Sequence, residues 1–200
     1  MRAAIVEACH RLAAEGLLIG TAGNVSVRDG DRVWVTASGA VLADLTEDDV
    51  VEATDERATS EVALHLGIHQ TYDAGAVVHT HAPVSTAASL VIDELPCIHY
   101  QQLLLGGAIR VAPYATFGTP ELAEHVRAAL EGRSAALMAN HGSVTLGATL
   151  DQAVENALLL EWLCGVYRDA LIFGTPRVLT AQQQEDVVLA AIARSYEGLR

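Results

Sequence analysis

The stretch Gly75-Ala76-Val77-Val78-His79-Thr80-His81-Ala82-Pro83 sets two imidazoles two residues apart at the end of an apolar run. Three apolar residues in a row after Gly75, in a stretch closed by Pro83, fit a strand buried on both faces better than a half-exposed one. Side chains at i and i+2 of a strand leave the same face. His79 and His81 could therefore hold one cation between them, while Thr80 turns to the other side of the sheet. A chain built around such a strand needs layers above and below it, and further ligands delivered from elsewhere.

Two hundred residues, 51 % of them hydrophobic, are enough to bury a sizeable core, and residues 1–200 read as one domain. No apolar run approaches the roughly 20 residues that cross a bilayer. The N-terminus carries Glu7 and His10 where a signal peptide needs an apolar centre. A cytoplasmic protein with no membrane partner is the expectation. Cys9, Cys97 and Cys164 are odd in number and lack a Cys-x-x-Cys spacing, so they read as buried free thiols. A net charge of −13 with no basic cluster argues against a nucleic-acid partner. All twelve basic residues are arginine. The lack of lysine removes Schiff-base and pyridoxal-phosphate chemistry and the P-loop.

Taken in order, residues 2–18 carry apolar positions near a 3.6-residue period and read as a helix closed by Gly16 and Gly20. A glycine-containing loop at 20–24 feeds a strand to Arg28, and Asp29-Gly30-Asp31 turns it into Val33–Thr36 as a hairpin. Thr46-Glu47-Asp48-Asp49 reads as a capped turn into Val50-Val51. Thr59 or Ser60 is the expected N-cap of a helix to Thr71. After the central strand, Pro83 opens a helix to Leu90, and Pro96–Tyr100 is expected to return to the sheet. Ile109–Val111 is a strand, Thr119-Pro120 starts a helix to Leu130, and Ser134–Met138 is a strand delivering Asn140-His141-Gly142. A long amphipathic helix from Thr149 to about Ala170, a short strand at Val178-Leu179 and a helix from Ala181 to Tyr196 complete the chain. The expected fold is α/β: an αβα sandwich with a central mixed, largely antiparallel sheet and helices on both faces.

His141 is the best third ligand for the His79–His81 pair, because it too follows an apolar strand and precedes a glycine. Catalytic zinc takes three protein ligands and keeps a position open. A second cluster competes: Glu61, His65 and His69 lie four apart and share one helix face. Spacing alone leaves both possible, with a hydrogen-bonded core role as the alternative for His65 and His69.

Seven segments occur in an order that resembles the class II aldolases of the aldolase/adducin superfamily. They are Gly-Thr-Ala-Gly-Asn-Val-Ser at 20–26, Thr-Ala-Ser-Gly at 36–39, Thr-Ser-Glu at 59–61 and His-Thr-His-Ala at 79–82. Ile-His-Tyr at 98–100, Ala-Pro-Tyr-Ala-Thr-Phe-Gly-Thr at 112–119 and Asn-His-Gly at 140–142 follow. The resemblance covers nearly the whole chain, and members acting on L-fuculose 1-phosphate are the nearest. It implies zinc, with manganese or cobalt as possible substitutes, held by His79, His81, His141 and Glu61. It implies a catalytic Glu61 that leaves the metal and shuttles a proton, and a catalytic Tyr100 donated by a neighbouring subunit of a homotetramer. A C-terminal tyrosine of the family has its counterpart in Tyr196. The phosphate pocket falls on Gly23, Asn24, Ser38, Gly39, Thr59 and Ser60, where backbone N–H groups and hydroxyls can hold an anion without lysine.

The implied reaction is cleavage of a ketose 1-phosphate such as L-fuculose 1-phosphate to dihydroxyacetone phosphate and L-lactaldehyde, with the metal stabilising the enediolate. Same-site alternatives are a methylthioribulose-1-phosphate dehydratase, a sugar-acid phosphate decarboxylase and a pentulose-phosphate 4-epimerase. The epimerase would place aspartate where Glu61 stands. An adducin-like interaction module would be expected to lack the metal ligands.

Overall fold

The computed structural model describes residues 1–194. The chain runs α1 (Arg2–Ala14), β1 (Asn24–Asp29), β2 (Arg32–Thr36), β3 (Val50–Glu52), α2 (Val62–Thr71), β4 (Ala76–Thr80) and α3 (Pro83–Ser89). It continues through β5 (Glu94–Leu95), β6 (Ile109–Ala112), α4 (Pro120–Leu130), β7 (Ala135–Met138), β8 (Gly142–Gly147), α5 (Leu150–Phe173) and α6 (Ala181–Ala193). Among the described residues the strands form one eight-stranded sheet, ordered β3-β2-β1-β4-β8-β7-β6-β5. Only β6 and β7 pair in parallel, so the sheet is mixed and largely antiparallel as expected.

Alternation along the strands sorts two layers of helix. Val25, Val27, Ala76 and Val78 pack with Ile5, Cys9 and Leu12 of α1 and with Ala153, Val154 and Ala157 of α5. Val77, Ala136, Met138, Val144 and Leu146 face the opposite way, onto Leu64 and Ile68 of α2 and Leu122, Val126 and Leu130 of α4. Every residue of β4 is buried, which is the environment its unbroken apolar run requires. With roughly 1.5–3 kcal/mol for each large apolar side chain removed from water, this double packing fixes where the strand ends and hence where His79 stands.

Local signals held where a side chain had a backbone partner close by. Thr46 and Asp49 form a capping box, Thr119 accepts from Leu122 N, and Gly30 takes the positive φ of the hairpin turn, +61°. Elsewhere the structure departs from expectation. Thr59 Oγ1 accepts from Glu61 N, so it closes the turn ahead of α2, and the helix itself begins one residue after Glu61. Residues 96–100 do not return to the sheet: only Glu94–Leu95 pairs with β6. Pro96 has no N–H to offer a ladder, and the buried Gln102 side chain bonds Ile98 N and the carbonyls of Leu95 and Pro96, drawing the chain into a 3-10 turn at Tyr100–Leu105. Val178-Leu179 is not a strand; Leu179 N donates to Cys97 O and the pairing goes no further. Strand β8 was not expected, although Ser143, Val144, Thr145 and Leu146 alternate as a strand should. Helix α5 runs on to Phe173 and buries Ala153, Asn156, Ala157, Leu160, Leu163 and Cys164, while its last three residues, Leu171–Phe173, are exposed. The expected end of the last helix at Tyr196 lies outside the described residues.

Candidate active site

His79 is the last residue but one of β4, His81 follows one residue beyond the strand, and His141 stands in the turn between β7 and β8, the strand that pairs with β4. Two apolar strands side by side thus bring the three rings together. Their centroids are 4.8, 4.9 and 4.9 Å apart. The turn is tight: Asn140 takes a positive φ of +56°, uncommon for a residue with a side chain. A Cβ on Gly142 would lie 2.3 Å from Thr80 O and 3.4 Å from the His79 ring. Only glycine lets β8 approach that closely.

The ring of His79 donates from Nδ1 to Ser143 O at 2.9 Å, which aims its Nε2 at His81 Nε2, 3.0 Å away. A backbone acceptor behind a ligating imidazole is the usual way its tautomer and direction are set. Burial pushes His81 down to about 4, with His79 and His141 adding to the effect, and pushes His141 down as well. Both rings are held in the neutral form that binds metal.

Glu61 joins this group from the start of α2. Its Oε2 is 3.1 Å from His79 Nε2 and its Oε1 is 3.6 Å from His141 Nε2. Burial on its own would raise this carboxyl, but the charge and hydrogen bond of His79 and the amide of Asn24 outweigh it and hold Glu61 well below the usual carboxylate range. The same pairing raises His79 against its burial. The competing cluster does not form: His65 and His69 point from α2 at Ser26 of β1, and their rings contact Ser26 and Asn24.

An open cleft of about 490 Å³ leads to the histidines. Gly23, Asn24, Ser38, Gly39, Thr59 and Ser60 all line it, together with Glu61, His81 and His141. These six come from three chain segments, joined because Asn24 is in register with His79 and because Ser38 N donates to Arg57 O beside the Thr59 turn. Gly23 has φ +99°, and a Cβ there would lie 2.9 Å from His79 O. Gly118 is pressed in the same way, 2.9 Å from Ser60 O. That contact brings Tyr114 and Phe117 to the cleft wall, where both are exposed. Phe117 was not singled out from the sequence, although it lies in the quoted 112–119 segment.

The family profile described as the Class II Aldolase and Adducin N-terminal domain matches residues 3–168. The chain belongs to this class II aldolase family. It is 40 % identical over 197 residues to a 5-methylthioribulose-1-phosphate/5-deoxyribulose-1-phosphate aldolase of Rhodospirillum rubrum, covering 94 % of this chain and 89 % of that protein. It is 38 % identical over 205 residues to an L-fuculose phosphate aldolase of Escherichia coli K12, covering 98 % and 94 %. Among solved structures, an L-fuculose 1-phosphate aldolase superposes with a TM-score of 0.87 at 33 % identity over 93 % of each chain. One from Thermus thermophilus gives 0.79 at 29 % identity over 88 % of this chain and 97 % of that one.

The donor set fits what a class II aldolase needs. Ligand atoms of His79, His81 and His141 lie within 4.8 Å of one another, a span that one divalent ion can bridge. Glu61 Oε1 is buried and has no hydrogen-bond partner, an arrangement that costs free energy unless a cation completes it. The family match and the aldolase relatives make the chain an enzyme of the family, a lyase.

Tyr100 is not among the residues lining the cleft of its own chain. It sits half exposed on the Tyr100–Leu105 turn, its ring 4.7 Å from that of His99. Tyr196 lies outside the described residues.

Proposed function

We propose that this class II aldolase cleaves a ketose 1-phosphate to dihydroxyacetone phosphate and an aldehyde, with His79, His81, His141 and Glu61 holding a divalent ion, zinc foremost and manganese or cobalt as substitutes. The observation that carries the reading is the orphaned, buried Glu61 Oε1 beside three converging imidazoles. When bound, the ion supplies Lewis acidity that stabilises the negative charge developing on the ketose oxygen. Gly23, Asn24, Ser38, Gly39, Thr59 and Ser60 seat the phosphate, largely through N–H groups and hydroxyls. Seating it there places the sugar carbons towards Glu61 and His141. As the C3–C4 bond breaks, its electron pair stays on the dihydroxyacetone phosphate half and the C4 hydroxyl loses its proton to give the aldehyde. Glu61 then delivers a proton to C3, and the proton given up at the C4 oxygen balances the one gained at C3, so none is consumed overall. Tyr100 of a neighbouring subunit in a homotetramer assists the proton on the aldehyde oxygen. The enzyme works in the cytoplasm.

The relatives' names leave two kinds of substrate, L-fuculose phosphate on one side and 5-deoxy- or 5-methylthioribulose 1-phosphate on the other. Both are ketose 1-phosphates that would yield the same three-carbon product and differ in the aldehyde. We take L-fuculose 1-phosphate as the first candidate. The 5-substituted ribulose phosphates are kept as the second candidate because a relative named for them is 40 % identical, against 38 % for the fuculose phosphate aldolase. The test is a panel of these three compounds and a sugar-acid phosphate with zinc-loaded protein, products identified by NMR. Dihydroxyacetone phosphate from at least one ketose 1-phosphate is the expected result. Loss of water, loss of carbon dioxide or inversion at C4 without cleavage would replace the aldolase reading.

A further inference from the structure

Strand β1 carries polar side chains on the face where its neighbours are apolar. Asn24 and Ser26 point from it towards α2, whereas Val77, Val144 and Leu146 of β4 and β8 fill the core on that side. They meet Glu61, His65 and His69, one helical turn apart along α2, and all five are buried. Five polar groups in one core position cost stability unless each is bonded. The bonds form a single row.

Asn24 Nδ2 donates to Glu61 Oε2 at 3.0 Å. The reverse amide orientation would aim two acceptors at each other, so the Asn24 carbonyl must face His65. It then accepts from His65 Nε2–H, and this fixes the tautomer of a ring that burial keeps neutral. His65 Nδ1 is left as an acceptor, 2.6 Å from Ser26 Oγ, which donates to it. On the far side of that hydroxyl, 2.9 Å away, lies His69 Nε2, and His69 Nδ1 donates to Ala74 O. The hydroxyl has one proton for two ring nitrogens, and the shorter contact takes it. The amide of Asn24 is thereby engaged at both ends, although the residue lines the cleft.

We propose that Ser26 and His65 are positioning residues for Glu61. Through Asn24 they hold Oε2, which also lies 3.1 Å from His79 Nε2, and leave Oε1 without a hydrogen-bond partner on the side of His141. This rests on the reading of Glu61 as the group that moves the C3 proton. It assigns the row a purpose beyond tying α2 to β1: a carboxylate that must leave a metal and return needs one oxygen held throughout.

His65→Gln and His65→Asn separate the two roles. A glutamine amide nitrogen can reach the place of Nε2 and still donate to Asn24, whereas the shorter asparagine cannot. A purely structural role predicts that both variants lose stability and activity together. The positioning role predicts similar losses of thermal midpoint, but kcat reduced about 10- to 100-fold in His65→Asn with KM little changed, and largely restored in His65→Gln. Equal kcat in the two variants would overturn the proposal. A second measurement does not use turnover: long-range 1H–15N spectra of the wild-type protein should show His65 as the neutral Nε2–H tautomer, and the Nδ1–H tautomer would overturn it. If no ketose 1-phosphate is cleaved by the wild-type protein, the functional reading fails while the tautomer still decides the hydrogen-bonded row.

Discussion

The Nε2 atoms of His79 and His81 lie 3.0 Å apart, the His79 ring being aimed by its Nδ1 donation to Ser143 O. Two ring nitrogens that close repel unless a proton or a metal lies between them. Glu61 and His141 complete the same small volume.

Metal removal should therefore cost stability as well as activity. Protein stripped by a chelator is expected to melt lower and release no dihydroxyacetone phosphate, and zinc should restore both. With free zinc at about 100 times its Kd, the gain is about 2.7 kcal/mol. His81→Ala should bind less than one equivalent under the same conditions, as read by elemental analysis after desalting.

Glu61→Gln keeps the size of the side chain and removes its charge and basicity. We expect kcat to fall about 10²- to 10⁴-fold with the circular dichroism spectrum unchanged. A variant retaining wild-type kcat would remove Glu61 from the proton-transfer role.

Gly142→Ala would press a methyl group to 2.3 Å from Thr80 O, a backbone atom of the central strand. The strands must part, and a loss of about 1–3 kcal/mol is expected from urea denaturation. Gly165→Ala is the control: nothing lies within 4 Å of that site in the interior of α5. There the same methyl should stabilise by about 0.5–1 kcal/mol.

Burial pushes His65 down to about 3 from an ordinary 6.5. Between those values the unfolded chain binds the proton and the folded chain does not. The stability this group contributes is complete above about pH 6.5 and is lost as pH falls towards 3, at up to about 1.4 kcal/mol per pH unit. Burial lowers His69 in the same sense. Urea midpoints of the wild type should fall between about pH 7 and about pH 5 more steeply than those of His65→Gln.

The thiols of Cys9 and Cys164 are pushed up to about 12 by burial, and that of Cys97 is raised as well. Iodoacetamide at about pH 8 should leave all three unmodified in the native protein and label all three in urea, as counted by mass spectrometry. Rapid native labelling would mean that one of these buried sites, on α1, on α5 or in the segment after β5, opens.

Much of the site was legible before any coordinates. His79 and His81 declared themselves by alternation at the end of an apolar run, and His141 by a glycine-bounded turn after another. The positions proposed to seat phosphate were marked by glycines and hydroxyls in three loops, and those loops line one cleft. Strand β8 was masked because its Ser143-Val144-Thr145-Leu146 alternation follows directly on the Asn140–Gly142 turn. Pro96–Tyr100 misled because Cys97-Ile98 has strand composition, whereas the partner that bends it, Gln102, is polar and buried in a way no local pattern signals.

Local chemistry determined most of the strands and helices, which residues can ligate a cation, and, with no lysine in the chain, that any phosphate would have to be held by other groups. It left Glu61, His65 and His69 as one helix face with two possible destinations. Tertiary structure decided between them. The antiparallel pairing of β4 with β8 brings His141 to His79, and the pairing of β1 with β4 sets Asn24 beside His79, so Glu61 faces the histidines while His65 and His69 face Ser26. The physical reason is that side-chain spacing along one element fixes only a shared direction. What lies in that direction is set by strand register, and register is fixed by the apolar faces packed across the sheet.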